Sequence, residues 1–274
     1  GTRTIDLART RREHYPHPAA LPIVHPASIV DDLARRDFSI NAMAIQLTAS
    51  DDTLLPAPVL DPFGGQHDLH AGHLRVLHDA SFDDDPTRIL RGIRLAARLG
   101  LAFEPHTQPL LTAALHQHRL EHTSPDRIRT ELCLALEEPA PDQVLQYADS
   151  YAITEHLCPT LRWTPALAAR CQRRNAADPA PAPLISAGLL TYDLDASARK
   201  ELITRYRLPN DAARLLRDID TLHTLRPHMI ASDIPNSTLD QWLRPLSDPA
   251  LIVGHYAEEP PIAATIAHYQ TNLR

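Results

Sequence analysis

The sequence predicts a mainly α fold, α+β overall, in which a short mixed segment precedes a long series of helices. Residues 3–8 alternate between polar and apolar side chains as a half-buried strand does, before Pro16 and Pro18 impose an extended linker. Past Ser81 the apolar residues recur at helical spacing. We therefore expect helix to exceed strand several-fold.

The first third of the chain predicts a few short elements. Residues 31–47 begin with helical spacing and end with alternation, which predicts a helix followed by a strand from about Asn41. Residues 60–72 contain an Asp-Pro pair and a Gly-Gly pair, both of which are turn signals. This segment predicts a loop with a short helix at residues 66–70.

The remainder predicts amphipathic helices. Pro86 suits a first helical position, and the helical spacing that follows it continues to Gly100, a natural helix stop. Further helices are predicted at residues 125–136, 143–157 and 212–225. Three prolines within residues 178–183 predict an extended connector between helical parts.

Composition restricts the class of protein. The chain has 274 residues, 43% of them hydrophobic, which is enough for two or three packed units. It contains no apolar run of about 18 residues, so we expect no spanning helix and no membrane partner. Charged residues are frequent near its start, so we expect no signal peptide and a cytoplasmic location. The net charge of −7 means that any RNA binding must rest on local arginine clusters.

Four segments carry a resemblance to a known family. In chain order they are Ile5-Asp6-Leu7-Ala8 with Arg11, Glu13 and Tyr15; Arg35-Arg36-Asp37-Phe38-Ser39-Ile40-Asn41-Ala42-Met43-Ala44; Asp61-Pro62-Phe63-Gly64-Gly65 with Asp68-Leu69 and Leu74-Arg75; and Asp84-Asp85-Pro86-Thr87-Arg88-Ile89-Leu90-Arg91. Together they resemble the class II nucleotidyltransferases, the family of bacterial tRNA CCA-adding enzymes and poly(A) polymerases. Weaker matches continue to about residue 165.

The resemblance implies an architecture and an activity. Residues 1–78 would be the C-terminal part of a nucleotidyltransferase (polymerase-β-like) head, residues 79–140 a helical, RNA-binding neck with the nucleotide-selecting helix, and residues 141–274 a helical body and tail. The implied reaction transfers CMP and AMP from CTP and ATP to the 3′ end of tRNA, with Mg²⁺ as cofactor. CC-adding enzymes, A-adding enzymes and poly(A) polymerases, which add AMP to RNA 3′ ends, share the motifs and remain alternatives.

Asp85 and Arg88 are the candidate base-selecting pair. Three residues apart on one helix, both side chains should project on the same face. The carboxylate can accept from the amino group of cytosine or adenine while the guanidinium donates to the ring nitrogen; uracil and guanine present a carbonyl there instead. The resemblance gives these positions that role and places Arg91 in the same motif. The alternative is that Asp85 caps the helix and the arginines form a solvated ridge.

Arg35, Arg36 and Asp37 form a candidate nucleotide clamp. Guanidinium groups can pair with a triphosphate, and a carboxylate can accept from a ribose hydroxyl that a deoxyribose lacks. By resemblance, Arg36 and Asp37 favour NTP over dNTP, and Asn41 braces the site. The alternative is an exposed surface of salt bridges.

Asp6 matches a catalytic carboxylate of the family and would be a Mg²⁺ ligand. This chemistry uses a cluster of carboxylates that holds two Mg²⁺ ions about 3.5 to 4 Å apart. The family's Gly-Gly-x-x-Arg-Asp segment with its following Asp-x-Asp does not occur in the 274 residues, so we expect it upstream of Gly1. We therefore expect weak or absent catalysis by this chain alone. A non-catalytic RNA-binding or nucleotide-binding module is the alternative from another class.

Overall fold

The chain forms two compact units in a computed structural model that describes residues 7–14, 23–50, 53–230 and 234–274. The first unit is Gly1–Thr123 and the second is Ser124–Arg274. Helix makes up 61% and strand 10%, which confirms the mainly α prediction. In the described ranges no helix is both long and apolar enough to span a bilayer. The division into head, neck and body stays a prediction.

The strands all lie in the first unit of the described chain. They are β1 (Arg11–His14), β2 (Ile23–Pro26), β3 (Ala44–Ser50), β4 (Thr53–Leu60), β5 (His73–Leu74) and β6 (Ala102–Phe103). The pairs β1–β2 and β3–β4 are antiparallel, and β5–β6 is parallel. The strand predicted from about Asn41 is confirmed as β3. Its partner β4 was not predicted, because the two prolines in its sequence are uncommon inside strands.

The strand predicted at residues 3–8 is not confirmed. Its first four residues lie outside the described ranges, and Leu7 and Ala8 are in irregular structure. The observed strand begins at Arg11, three residues beyond the predicted one. Alternation over six residues is a weak signal of strand limits, and pairing with β2 decides where β1 lies.

The helical elements of the first unit follow local signals. They are α1 (Ile29–Ala34), a 3₁₀ turn (Ser39–Asn41), α2 (Gly65–Ala71), α3 (Ser81–Asp84), α4 (Thr87–Leu99) and α5 (Thr107–His116). The helices predicted at residues 66–70 and from Pro86 to Gly100 are confirmed as α2 and α4. Gly100 ends α4 with a φ of 66°, a left-handed conformation in which glycine avoids the strain of a side chain.

Close packing joins α4 to the segment that follows α1. Phe38 is fully buried, and its ring centroid lies 6.4 Å from that of Phe103. A Cβ atom on Gly92 of α4 would come within 2.8 Å of the Phe38 ring, so only glycine allows this approach. The packing therefore places the N-terminal turns of α4 next to residues 35–41.

The second unit is helical throughout its described part. Its helices are α6 (Pro125–Leu136), α7 (Pro141–Ser150), α8 (Ile153–Leu157), α9 (Pro165–Ala177), α10 (Pro183–Thr191), α11 (Ala196–Arg205), α12 (Asn210–Met229), α13 (Asn236–Leu243), α14 (Asp248–Ala257) and α15 (Pro260–Asn272). The predicted helices at residues 125–136 and 212–225 are confirmed as α6 and α12. The proline-rich connector lies between α9 and α10, as predicted.

One helix prediction in this unit is wrong. Residues 143–157 form α7 and α8 rather than a single helix. Ala152 separates the two with a φ of 58°, and the Thr154 hydroxyl donates to Asp149 at 2.8 Å. A side-chain bond of this kind offers the chain an alternative to a continuous helix. The apolar spacing of the segment does not reveal the break.

The core of the second unit lies where α10, α12, α14 and α15 meet. Leu189, Ile219, Val253 and Ile266 are buried there, each at 1% exposure or less. Gly188 faces α14 so closely that an added Cβ would lie 2.5 Å from a Val253 methyl group. Regular apolar spacing on each helix thus produces one continuous core.

Candidate functional site

Two arginines of α4 fasten that helix to the segment after α1. Arg88 is 4% exposed. Its Nη1 donates to the Ser81 hydroxyl at 2.7 Å, and its Nη2 donates to the main-chain oxygen of Arg35 at 2.9 Å. Arg91, three residues on and so on the same face, donates through Nε and Nη2 to Oδ2 of Asp37 at 2.9 and 2.7 Å. Both arginines therefore act on the predicted nucleotide clamp.

Asp37 is a buried carboxylate with donors on both oxygens. Oδ1 accepts from the Phe38 N–H at 2.9 Å and from the Asn41 amide at 3.0 Å, while Oδ2 accepts from Arg91. Burial opposes its ionisation, but the charge of Arg91 and these hydrogen bonds outweigh burial, so the pKa of Asp37 lies below its usual value. Asn41 thus braces Asp37, as the resemblance implied for the site.

Arg35 and Arg36 belong to a network of ion pairs around Asp32. Arg35 contacts Glu13 and Asp32, each at 2.9 Å, and Arg36 contacts Asp32 at 3.1 Å. Burial works against the charge of Asp32, yet the N–H of Arg11 and both guanidinium groups lower its pKa. The Arg35 side chain is mostly covered, whereas that of Arg36 is 45% exposed. Arg36 is the more accessible of the two predicted phosphate ligands.

A small polar cavity opens beside Arg88. Its volume is about 210 Å³, and it is lined by Arg12, Glu13, Asp31, Ala34, Arg35, His78, Asp84 and Arg88. Pockets that enclose a whole drug-sized ligand measure about 300 to 1,000 Å³, so this one suits part of a nucleotide rather than all of it. Its wall carries both guanidinium and carboxylate groups, which can provide donors and acceptors for a base edge.

Among the described residues that line this cavity, His78 is the one imidazole. Burial and the nearby Arg88 charge lower its pKa, against an opposing effect of Asp84, whose Oδ2 lies 3.9 Å from the His78 Nε2. The neutral imidazole is therefore the prevailing form at neutral pH. It can donate or accept one hydrogen bond without adding charge to the cavity.

The predicted arrangement of Asp85 and Arg88 on one helical face is wrong. Asp85 precedes α4 in an extended conformation, with φ −140° and ψ 94°. Its Oδ1 accepts from the Thr87 N–H at 3.0 Å and from the Thr87 hydroxyl at 2.6 Å. The capping alternative accounts for this contact, because an aspartate before a helix can accept the N–H groups of its first turn. Its neighbour Asp84, not Asp85, lines the cavity with Arg88.

The predicted metal ligand Asp6 lies outside the described residues. Within the described part of the first unit, no three acidic, imidazole or thiol side chains converge as ligands of one ion. The predicted Mg²⁺ site therefore stays a prediction.

Comparison with known proteins identifies the family. Residues 1–75 match the family described as the poly A polymerase head domain, and residues 100–164 match the probable RNA and SrmB-binding site of polymerase A. A CC-adding tRNA nucleotidyltransferase of Deinococcus radiodurans is 35% identical over 272 residues, which cover 97% of this chain and 67% of that protein. The chain belongs to the tRNA nucleotidyltransferase and poly(A) polymerase family.

Other relatives of the nucleotidyltransferase family agree with this assignment. An A-adding tRNA nucleotidyltransferase of Aquifex aeolicus is 40% identical over 163 residues, which cover 60% of this chain but only 19% of that protein. A solved structure of a CCA-adding enzyme without ligands superposes with a TM-score of 0.77 at 30% identity, covering 97% of this chain and 64% of the other. The chain thus spans less than two thirds of these two relatives.

The structure brings two of the family motifs together. Residues 35–41 and 84–91 are joined through Arg88 and Arg91. Arg12, Asp31 and His78 were not predicted to line the cavity. His78 lies six residues before the last motif, and the only sequence signal for it was that proximity.

Proposed function

We propose that this chain is the nucleotide-selecting and RNA-binding part of a tRNA nucleotidyltransferase, which adds CMP or AMP from CTP or ATP to the 3′ end of tRNA. The observation that carries the proposal is the cavity beside Arg88, a buried guanidinium on the helix that bears the family's last motif. Related proteins with A-adding and CC-adding names support transfer of these two nucleotides. Solved structures of CCA-adding enzymes with CTP and with ATP, each 30% identical to this chain, support both as substrates.

Arg88 is the proposed base-reading donor. A guanidinium carries five N–H groups, and the contacts to Ser81 and Arg35 leave others to donate to the ring nitrogen of cytosine or adenine. The acceptor for the exocyclic amino group comes from Asp84 or Asp85. Resemblance favours Asp85, and position on the cavity wall favours Asp84. Either carboxylate would face a carbonyl of uracil or guanine and remain unpaired, which disfavours those bases.

The remaining site residues take roles around the sugar and phosphates. Arg36, with its exposed guanidinium, would contact the triphosphate, and Arg35 would hold Glu13 and Asp32 in place beside it. Asp37 would accept from the ribose hydroxyl. Asp6 would supply one carboxylate for Mg²⁺, an ion that supplies charge stabilisation to the transferring phosphoryl group.

Catalysis by the 274 residues alone should be weak or absent, because a two-metal site needs more than one carboxylate at its centre. Labelled CTP and ATP, supplied with a tRNA that ends at its discriminator base, test this directly. We expect little incorporation. Incorporation at an ordinary enzymatic turnover would show that the metal ligands are elsewhere in this chain. The number and kind of nucleotides added would then separate CC-adding, A-adding, CCA-adding and poly(A) activities.

Nucleotide binding tests the base-reading role without catalysis. Titration calorimetry of the chain with CTP, ATP, UTP and GTP should show a preference for the first two, of about 10-fold for one good forked base contact. Arg88→Ala should remove that preference. The matched control is Arg98→Ala, because Arg98 is an exposed arginine at the other end of α4. An equal loss of affinity for all four nucleotides would contradict the proposal.

The same titrations with Asp84→Asn and Asp85→Asn identify the partner of Arg88. The variant that loses discrimination between CTP and UTP is the one that lacks the base-reading carboxylate. If neither variant changes that ratio, base selection does not depend on this pair of aspartates.

A further inference from the structure

His78 and Asp84 line the cavity from the two sides of the short helix α3. Asp84 is the last residue of that helix, and the main-chain oxygen of His78, which precedes it, accepts from the Ser81 N–H at 3.1 Å. Arg88 braces the same turn, because its Nη1 donates to the Ser81 hydroxyl at 2.7 Å. Both side chains therefore reach the cavity from one short piece of main chain.

The carboxylate of Asp84 is held differently from the other two on the cavity wall. Glu13 lies 2.9 Å from each of two guanidinium groups, and Asp31 accepts from a serine hydroxyl at 2.7 Å. Among the described residues the ion pair of Asp84 is with His78, and its Nε2 to Oδ2 distance of 3.9 Å is beyond hydrogen-bonding range. Asp84 can therefore accept from a ligand without giving up a guanidinium partner.

The charge of the cavity wall depends on the protonation of His78. Besides this imidazole the wall carries three guanidinium groups and three carboxylates, those of Arg12, Arg35, Arg88, Glu13, Asp31 and Asp84. Asp79 also acts on the imidazole, but its carboxylate lies 2.9 Å from His106. Burial and the charge of Arg88 lower the pKa of His78 from 6.5 against the opposing effects of Asp84 and Asp79. His78 therefore becomes charged only on the acidic side of that value.

We propose that His78 is a positioning residue for base selection: while neutral it leaves the Asp84 carboxylate to the amino group of cytosine or adenine, and when protonated it binds that carboxylate itself. The inference rests on the proposed function and assigns the base acceptor to Asp84. An imidazolium donates through both ring nitrogens, so its attraction to Asp84 closes the 3.9 Å gap to a charge-assisted hydrogen bond. The proton comes from solvent and returns to solvent when cytosine binds.

Protonation of His78 should change the affinities for the two kinds of base in opposite directions. CTP needs the Asp84 carboxylate as an acceptor, so its binding favours the neutral imidazole. UTP presents a carbonyl to that carboxylate, and an imidazolium removes the conflict by neutralising Asp84 and by donating to the carbonyl. Acid therefore weakens CTP binding and strengthens UTP binding. Titration of the triphosphate is common to both nucleotides and cancels in the ratio of their affinities.

The experiment measures the affinity of the chain for CTP and UTP by titration calorimetry between about pH 5.5 and pH 8, where histidine titrates and cytosine stays unprotonated. At the alkaline end we expect a preference for CTP of about 10-fold, the size of one good forked base contact. The preference should fall by about 3-fold or more at the acidic end. Titrations there in two buffers of different ionisation enthalpy should show that CTP binding releases more protons than UTP binding.

Three variants test whether His78 is the group that titrates. His78→Gln cannot gain a proton, so it should keep the alkaline preference at every pH and release equal numbers of protons with both nucleotides. His78→Lys is always charged in this range and should lose the preference even at about pH 8. The matched control is His106→Gln, because the hydrogen bond and charge of Asp79 raise the pKa of His106 and it does not line the cavity. That control should keep the pH dependence of the unaltered chain.

The outcomes separate this inference from the proposed function. A CTP to UTP ratio that does not change with pH in the unaltered chain overturns the inference alone, and so does a pH dependence that survives in His78→Gln. Retained preference in Asp84→Asn also overturns it alone, because the base acceptor would then be another group. Absence of any preference for CTP at every pH overturns the inference together with the proposed base-reading site. The His78→Lys ratio and the proton release of the unaltered chain decide the question if His78→Gln does not fold.

Discussion

The two units place their apolar side chains differently. Among the described residues, all large apolar side chains that are exposed lie in the first unit, with the exception of Ile230. Several are on the strand pairs, including Ile23 and Val24 of β2 and Ile45 and Leu47 of β3, each at least 50% exposed. The second unit buries most of its apolar side chains in one large core of helices, beside a smaller cluster of Cys158, Leu194 and Ala198. Short two-stranded sheets cannot cover both of their faces, whereas helices with one apolar stripe can.

Charged groups join elements in both units. The segments of the first unit are joined by ion pairs between elements, such as Arg35 with Glu13 and Arg91 with Asp37. The second unit also has ion pairs between elements, such as Arg199 with Asp220 and Arg226 with Glu258. The units therefore differ in how fully they cover their apolar side chains, and both use ion pairs between elements.

The largest effect should come from Gly65 in the first unit. A Cβ at this position would lie 2.3 Å from the main-chain oxygen of Ser39, which cannot move without displacing the 3₁₀ turn. We expect Gly65→Ala to lower the free energy of unfolding by about 3 kcal/mol or more, at the upper end of overpacking effects. Hydrogen exchange of peptides from α2 and α4 should accelerate.

The matched control for that substitution is Gly100→Ala. Its Cβ would meet nothing within 4 Å, so only the positive φ of 66° opposes it. A cost of about 1 kcal/mol is expected. Equal effects of the two substitutions would show that backbone crowding at Gly65 is unimportant. Both tryptophans, Trp163 and Trp242, lie in the second unit, so tryptophan fluorescence should report no change in either variant.

The second largest effect should come from Arg199, which is 1% exposed. Its guanidinium donates to Asp220 at 2.7 Å and to the main-chain oxygen of Tyr192 at 2.9 Å. Arg199→Met keeps most of the volume but leaves a carboxylate and a carbonyl without this donor. We expect a loss of about 3 kcal/mol in urea unfolding followed by tryptophan fluorescence. Arg217→Met, at an exposed position of α12, should change stability by less than about 0.5 kcal/mol.

Acid should weaken the second unit through His223. Burial, together with the charges of Arg199 and Arg226, lowers the pKa of His223 from 6.5 to about 4. The unfolded chain then binds a proton that the folded chain excludes, so stability is complete above the unfolded value and falls as pH decreases towards the folded one. The expected loss between these values is on the order of 1 to 3 kcal/mol. His223→Gln should flatten this dependence in fluorescence-detected unfolding; an unchanged slope would assign it to other groups.

Asp37 should respond at lower pH than His223. Its pKa lies below the usual 3.8, so its contribution to the first unit is present above the unfolded value and is lost only as pH falls through the lower folded one. His78 of the first unit also has a lowered pKa, so the comparison is made in a His78→Gln background. There, hydrogen exchange of peptides from α4 should remain slow through the range in which tryptophan fluorescence already shows weakening. Simultaneous loss of both signals would mean that the units do not respond separately.

The smallest expected effects are at helix caps. The Asp195 carboxylate accepts from the Ala198 N–H at 2.8 Å at the start of α11, and the Ser28 hydroxyl accepts from the Asp31 N–H at 3.2 Å at the start of α1. Alanine at either position should cost about 1 kcal/mol. Tryptophan fluorescence should detect the change only for Asp195→Ala, and hydrogen exchange of first-unit peptides only for Ser28→Ala. A loss of stability for Ser28→Ala that clearly exceeds about 1 kcal/mol would show that the short helix α1 depends on its cap more than on its ion pairs.

Regular apolar spacing explains which elements the sequence could predict. Apolar spacing predicted α4, α6 and α12, because each buries one stripe of residues and ends at a glycine, proline or polar signal. It failed at Ala152, where a single left-handed residue and a side-chain bond interrupt an otherwise regular pattern. It also missed β4, whose two prolines argue against a strand, although pairing with β3 permits them.

Part of the cavity lining could be named from the sequence, but its geometry could not. Motif resemblance named Asp37, Arg88 and Arg91, and in the structure Arg88 and Arg91 of α4 contact Arg35 and Asp37. Nothing in the spacing of Asp85 and Arg88 showed that the chain would be extended at Asp85, because Asp-Pro occurs both within and before a first helical turn. Contacts between distant segments, such as Arg88 with Arg35, depend on packing that no local pattern records.

The ion pairs of Glu13, Asp37 and Asp220 share one property at alkaline pH, which is that their cation keeps its charge. The cations paired with Glu13, Asp37 and Asp220 are all guanidinium groups, and only one of the 27 basic residues is a lysine. A guanidinium keeps its proton above pH 12, where an ammonium group has already lost its own. Bases strong enough to discharge lysine-based salt bridges should therefore leave these contacts charged.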